Sequence, residues 1–428
     1  MLTVKELALL GLAVIGRLLL ARYGHEELSR RVEVASPLTS WNNVLEGIAL
    51  LDAGISPYQG DVCHEPPLTL LFFKLLHGLG SSCTILFYCI VDLLVAVAVS
   101  ETVRLHLKRE VGRQNKEKGL FGKGIDKILL QAEDISHLPT YAGLVYLLNP
   151  YSIISCAGQS TSVIDNAAVA CSLWAGLTGN SILSTLCLSL ATYHSLYPVM
   201  LLVPLSLLLY QDRGLPGLTG CLIWFTLWSS LLMVSSFIIT GSGDFLSAIY
   251  GFIFWVPDQT PNIGLFWYIF TEMFEHFRTF FLCIFQINAF LFTLPLSLRY
   301  SNHPMLLAYV LTSLMALFKS YPTISDITVP LALLCMWSHL LRYARLTLVA
   351  GCMLLVATVL TPLLWHLWIH AGSANANFYF AMSVLYGLAQ IILVTDVLHS
   401  FLFYQYDLKN GLPRKLDENG QPVTLKLS

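Results

Sequence analysis

Charge is what this chain has least of. Only 12% of its 428 residues are Asp, Glu, Lys or Arg, against 56% hydrophobic, and the mean hydropathy is +0.67. Such a balance excludes a soluble globular protein. Alternating ten-residue segments are also missing, which excludes a β-barrel. No basic patch is interleaved with aromatics, so nothing suggests a nucleic-acid partner. The ten cysteines are scattered and no C-x-x-C occurs, so neither a zinc site nor a disulfide framework is indicated. The motifs G-x-S-x-G, H-E-x-x-H and the Walker glycine loop are absent. His64-Glu65 is followed by Pro66-Pro67, which forbids the helix that an H-E-x-x-H site needs.

What remains is a set of long apolar runs, such as 218–240 and 346–364, matched to a hydrocarbon core of about 30 Å. The first run ends at Ala21-Arg22-Tyr23 without small residues suited to cleavage, so it reads as an uncleaved span rather than a signal peptide. Spans are expected near 6–21, 68–103, 138–156, 163–178, 218–240, 264–298, 305–318, 325–341, 346–369 and 378–404. The stretch 181–210 is expected to cross twice, broken at Tyr193-His194-Ser195 and Tyr197-Pro198. The fold class is therefore an all-α polytopic membrane protein with roughly twelve transmembrane segments in a single multi-span domain covering 1–428. Lys and Arg concentrate in 104–137, which reads as a flexible basic cytoplasmic loop, and 405–428 reads as a cytoplasmic tail. The segment 22–67 is then a lumenal loop, with an interfacial helix in which Trp41, Val44, Leu45, Ile48 and Leu51 recur at helical spacing until Gly54.

Two stretches concentrate polar residues. In Val256–Phe277, a loop with Pro257, Pro261, Asn262 and Gly264 hands over to a helix expected to carry Glu272, Glu275 and His276 on one face. Ionisable groups at membrane depth are a functional-site hypothesis by default, although a headgroup-layer girdle has the same composition. In Pro362–Phe380, His366 and His370 lie one turn apart, with Asn375, Asn377 and Phe378 following. Two histidines without a third good ligand do not make a zinc or iron site, so no metal is expected. Neutral amides and imidazoles beside Gly372-Ser373 suit hydrogen bonding to a lipid headgroup, with Trp365 and Trp368 as an aromatic shelf. Asp92 stands alone in an apolar run, where a helix–helix hydrogen bond is the simplest account.

Several motifs resemble one family. Glu33 to Trp41 (E-V-A-S-P-L-T-S-W), Glu46-Gly47 with Ser56-Pro57-Tyr58 and His64-Glu65, Leu148-Asn149-Pro150-Tyr151, Pro261–Phe277, Lys319-Ser320-Tyr321-Pro322 and Trp365–Phe378 are similar to the class U family of phosphatidylinositol-glycan anchor biosynthesis. Its members are subunits of the glycosylphosphatidylinositol (GPI) transamidase of the endoplasmic reticulum. The resemblance implies a non-catalytic, multi-pass subunit that binds the GPI glycolipid and presents it to a separate, cysteine-protease-like catalytic subunit, with no cofactor. It also implies a scaffold similar to the GT-C glycosyltransferases. The candidate GPI-binding residues are then Asn262, Glu272, Glu275, His276, His366, Trp368, His370, Asn375, Asn377 and Phe378.

The first loop also looks like that of the GPI mannosyltransferases, which carry an Asp-x-Asp-like motif there. Here the place reads Arg31-Val32-Glu33-Val34, with one acid. A mannosyltransferase using Glu33, Asp52 or Asp61 is the alternative, and a transporter with charges in mid-span (Asp92, Asp165, Asp396) is the third reading.

Overall fold

The computed structural model describes residues 4–412. Among these residues every regular element is helical. Five helices are long and apolar enough to cross a membrane: Ser81–Leu120, Leu215–Thr240, Glu275–Arg299, Thr347–His370 and Ala376–Asn410. Shorter apolar helices, including Ser162–Leu177 and Pro304–Phe318, stand among them. The chain is a helical membrane protein. Leu215–Thr240 buries only 11% of its apolar window and Ala376–Asn410 buries 50%, so the first is a peripheral wall and the second a central post.

The interior grows outward from the Ser81–Glu117 helix, which packs along Ala132–Leu148 and Ser162–Leu177. Ser162–Leu177 in turn packs on Ser181–Ser195, and the last post lies along Thr347–Trp365. One buried ion pair sits at the centre of the first layer. Arg17, 1% exposed, donates from Nε to Asp92 at 2.7 Å and from its terminal nitrogens to Leu147 O at 2.6 Å and Ser152 Oγ at 2.9 Å. The Tyr146 hydroxyl donates to the other Asp92 oxygen at 2.8 Å. Asp92 does join helices, as its sequence setting suggests, and Arg17 is the partner.

The helix expected around Trp41 is present as Trp41–Asp52. Its apolar face is not laid on a membrane surface, however. Trp41 meets the rings of Phe73 at 5.2 Å and Tyr88 at 5.8 Å, inside the protein.

Three expected boundaries are corrected. The run 68–103 is two helices, Pro67–Gly78 and Ser81–Glu117, because Gly80 takes a φ of +100°, which only glycine adopts at no cost. The basic segment 104–137 is not one loose loop. The helix continues to Glu117, held by i,i+3 ion pairs of Glu101 with Arg104 and Glu110 with Arg113, and a new helix starts at Ala132. The last helix runs on to Asn410, six residues into the expected tail; 413–428 lie outside the described residues. The break at Tyr193–Pro198 is where the sequence puts it. Ser181–Ser195 ends, Leu196 turns with φ +58°, and a tight turn over Tyr197–Leu201 follows.

Candidate functional site

The loop Val256–Leu265 owes its shape to local hydrogen bonds. Arg278 Nη2 donates to Val256 O at 2.8 Å, the Tyr321 hydroxyl donates to Asp258 O at 3.0 Å, and Asp258 Oδ1 accepts from the Thr260 amide at 2.7 Å. Asn262 is buried, its Oδ1 accepting from the Gly264 amide at 2.8 Å. A Cβ on Gly264 would lie 2.6 Å from Pro322 Cγ, so only glycine lets this loop close on the Lys319–Pro322 motif.

Beyond the loop the expected continuous helix is broken. Phe266–Glu272 ends at Met273, whose ψ is 139°, and Glu275–Leu291 starts afresh. Glu272 therefore does not share a helical face with Glu275 and His276, and all three are exposed. Ring packing explains the break. Phe266 and Phe270 both meet Phe285, at 5.1 and 5.5 Å, whereas a straight helix would hold Phe266 and Phe285 roughly 28 Å apart.

The second polar stretch comes to the first. Trp267 stacks near Trp368 at 6.3 Å and meets Tyr379 at 6.0 Å; Trp365 lies 5.2 Å from Tyr379. Tyr268 stacks on Phe380 at 4.1 Å, and its hydroxyl donates to Asn377 Oδ1 at 2.5 Å. The structure thus brings Trp368 and Asn377 onto the Phe266–Glu272 helix. Asn262 is linked too, since the Ser383 hydroxyl donates to its carbonyl at 3.3 Å. Asn375 caps the last helix, its side chain accepting from the Asn377 amide at 3.1 Å. His366 and His370 lie in the loosened turn before it with ring centroids 5.2 Å apart, and both are exposed, like Phe378. Among the described residues no group of three or more His, Cys, Asp or Glu could hold a metal ion.

One turn further along these two helices a groove opens. It encloses about 350 Å³ between Pro150–Ala157, Thr347–Trp365 and Ala376–Asn410. Its walls are Tyr151, Ile154, Ala357, Thr361, Met382 and Tyr386, and its only ionic residues are Glu27, Arg31 and Glu33. Arg31 holds the buried Glu33 carboxylate with two bonds of 3.2 and 3.3 Å. Tyr151 bonds Thr358 at 2.5 Å, but the Tyr386 hydroxyl is buried without a partner among the described residues. A buried unpaired hydroxyl costs about 1–3 kcal/mol unless something else bonds it. An apolar trough with one guanidinium–carboxylate pair suits acyl chains below a charged headgroup.

A second cluster escaped the sequence reading. His194 Nδ1 lies 3.5 Å from Asp165 and 3.9 Å from Glu65, with Nε2 2.9 Å from Thr69 Oγ1; nearby, Lys319 pairs with Asp326 at 2.6 Å. The Asn166 amide ties this region to Ser325. Two acids beside an imidazole resemble a proton-transfer site, but the enclosed space is about 20 Å³, room for one water and no substrate. His64-Glu65 and Tyr193-His194-Ser195 were visible as polar breaks, yet nothing in a linear chain announces that positions 65, 165 and 194 meet.

Burial pushes the Glu65 carboxyl, which precedes the Pro67 helix start, up to about 8, and Asp165 adds to the shift. A raised carboxyl pKa supplies stability fully present at low pH and lost as pH rises through the folded value. The wild type should therefore lose thermal stability between pH 5 and about 8 relative to Glu65→Gln, whose amide stays neutral; parallel melting curves across that window would show no divergence if the cluster were solvated.

Four of the six acids of the two rival readings, Glu33, Asp52, Asp92 and Asp396, are otherwise engaged. Glu33 is clamped by Arg31, and Asp52 pairs with Lys74 at 2.6 Å. Asp92 serves Arg17, and Asp396 accepts from the Arg345 and Leu346 amides and the Thr347 hydroxyl, capping the Thr347–Trp365 helix. Of the mid-span acids, Asp92 joins helices and Asp396 caps one.

Against known proteins, residues 11–386 match the family model described as GPI transamidase subunit PIG-U. The chain belongs to the PIG-U family. It is 40% identical over 400 residues to the GPI-anchor transamidase component PIGU of Homo sapiens, covering 90% of this chain and 91% of the human protein. It is 32% identical over 393 residues to the GPI transamidase component GAB1 of Saccharomyces cerevisiae, covering 91% of each. The GAB1 homolog of Schizosaccharomyces pombe is 30% identical over 385 residues, 89% of each chain. Within this PIG-U chain the two stretches singled out by polarity, 256–277 and 362–380, meet through Trp267 with Trp368 and Tyr268 with Asn377, and each contributes a residue, Ile263 and Pro362, to the groove.

Proposed function

We propose that this PIG-U chain is a non-catalytic subunit of the GPI transamidase in the endoplasmic reticulum membrane, crossing it about twelve times on a GT-C-like scaffold with both termini cytoplasmic. It takes the acyl chains of the GPI glycolipid into the groove between Thr347–Trp365 and Ala376–Asn410. The glycan and phosphates then lie over the aromatic cluster and Asn375, Asn377, His366 and His370, within reach of the cysteine-protease-like catalytic subunit. Glu272, Glu275 and His276, exposed beside this surface, contact the glycolipid or that subunit. The observation carrying this reading is the groove itself, an apolar trough with an ionic pair and an unpaired hydroxyl, in a chain whose relatives are named transamidase components. The small, filled ionic cluster at His194 supports a role without bond-making.

Substitution of the two asparagines tests it. Asp at 375 keeps an oxygen for the Asn377 amide and places negative charge at a helix N-terminus, which is favourable. Asp at 377 keeps the acceptor for Tyr268. Both variants should fold and assemble. Each loses an amide donor and repels a phosphate, so each is expected to lower surface GPI-anchored proteins roughly ten-fold in cells lacking the native subunit. Wild-type surface levels for both would reduce these residues to a cap and a tyrosine partner.

A further inference from the structure

A cavity of about 740 Å³ lies away from the groove, among the basic ends of the helices. Charge bias assigns this side to the cytoplasm, since Lys118, Lys123, Lys127 and Arg342 flank its elements in sequence. Among the elements that converge there are Ser81–Glu117 with His106, Arg109 and Arg113, the start of Pro304–Phe318 with His303, the turn Leu334–Tyr343 with Trp337 and His339, the end of Ala376–Asn410, and Leu202–Arg213 with Leu208.

Its hydrogen bonding is lopsided. His106 Nε2, Arg113 Nε, Trp337 Nε1 and His339 Nδ1 are all buried without a partner among the described residues, and all belong to this wall. Trp337, only 4% exposed, and Arg113 Nε can only donate. The terminal nitrogens of the two arginines are already engaged. Arg109 is forked onto Asp212 with two bonds of 2.8 Å, and Arg113 gives one terminal nitrogen to Glu110 at 2.6 Å and lies 3.3 Å from His303 by the other. Glu110, one of two carboxylates in the wall, also takes Gln114 at 3.4 Å. What is left over, among the described residues, is two obligate nitrogen donors, Arg113 Nε and Trp337 Nε1, and two imidazole nitrogens able to donate, from two elements and none with a hydrogen-bond partner. A buried donor without an acceptor is rare in folded proteins, and several around one ligand-sized cavity point to an acceptor-rich occupant. Leu208, Met305 and Phe401 supply an apolar flank.

We propose that this cavity binds a phosphate ester entering from the cytoplasmic side. A phosphate offers several acceptor oxygens and the negative charge that an arginine-flanked donor set favours. The site is separate from the groove and does not depend on the reading given to it.

The test uses the purified full-length transamidase complex in phosphatidylcholine nanodiscs. A short-chain phosphatidylinositol phosphate, inositol trisphosphate and inorganic phosphate are each titrated, with retention read by native mass spectrometry. Trp337→Phe keeps the ring and removes the N–H, and Arg113→Gln removes the charge. Saturable binding of at least one of the two esters is expected, weakened roughly ten-fold or more in the double variant. Retention of the lipid alone identifies a membrane headgroup as the source, equal retention of inositol trisphosphate identifies a soluble ester, and retention of inorganic phosphate alone overturns the ester in favour of the free ion. Failure of all three to bind the wild type overturns the proposal. So does equal binding by wild type and double variant. Near-native melting of the variants ties a loss of binding to the site and not to the fold.

Discussion

Asp92→Ala is expected to cost about 3–5 kcal/mol of folding free energy, because it strands the Arg17 guanidinium in a site 1% exposed. The penalty is the unpaired charge and not the lost contact. Leu147 O and Ser152 Oγ would still bond Arg17, and Tyr146 would lose its acceptor. The double change Arg17→Met with Asp92→Leu removes both charges at similar volume and should recover most of the loss, since buried pairs rarely outperform apolar packing. Thermal unfolding of the detergent-solubilised protein gives the comparison. A single variant as stable as wild type would mean that water reaches the pair.

Met382→Trp should be the most damaging single change to function that leaves the fold intact. Met382 lines the groove and is half-buried, so the indole can project into the space of about 350 Å³ instead of into packed core. An indole fills much of a trough sized for one or two acyl chains. Assembly with partner subunits should persist, while surface GPI-anchored proteins in cells lacking the native subunit should fall at least ten-fold, as expected when a site is blocked. Met382→Leu, which keeps the volume, should be silent. Equal surface levels for Trp and Leu would move lipid binding elsewhere.

Local chemistry was legible in this sequence and tertiary meeting was not. The Trp41–Asp52 helix followed from apolar spacing, and the break at Tyr193–Pro198 from its polar and proline residues. The separate importance of 256–277 and 362–380 followed from their polarity, but their contact through Trp267, Trp368 and Tyr379 is a property of the fold. The one-face grouping of Glu272, Glu275 and His276 failed because it assumed a continuous helix. Phe266 and Phe270 gain more by folding back on Phe285, and no proline or glycine marks the break at Met273. The basic segment looked loose from its glycines at 119, 122 and 124. Up to Glu117, however, the same residues that make it basic also make the ion pairs that keep it helical. Glu65, Asp165 and His194 each look ordinary alone.

The groove reading is tested most directly by photo-crosslinking. A GPI precursor carrying a diazirine in one acyl chain is bound to the intact complex, irradiated and mapped by mass spectrometry. The account predicts adducts on this subunit at Met382–Tyr386, at Ala357–Thr361 or at Arg31–Val34, and their loss in Met382→Trp. Adducts confined to other subunits, or to the outer faces of Leu215–Thr240 and Glu275–Leu291, would contradict it.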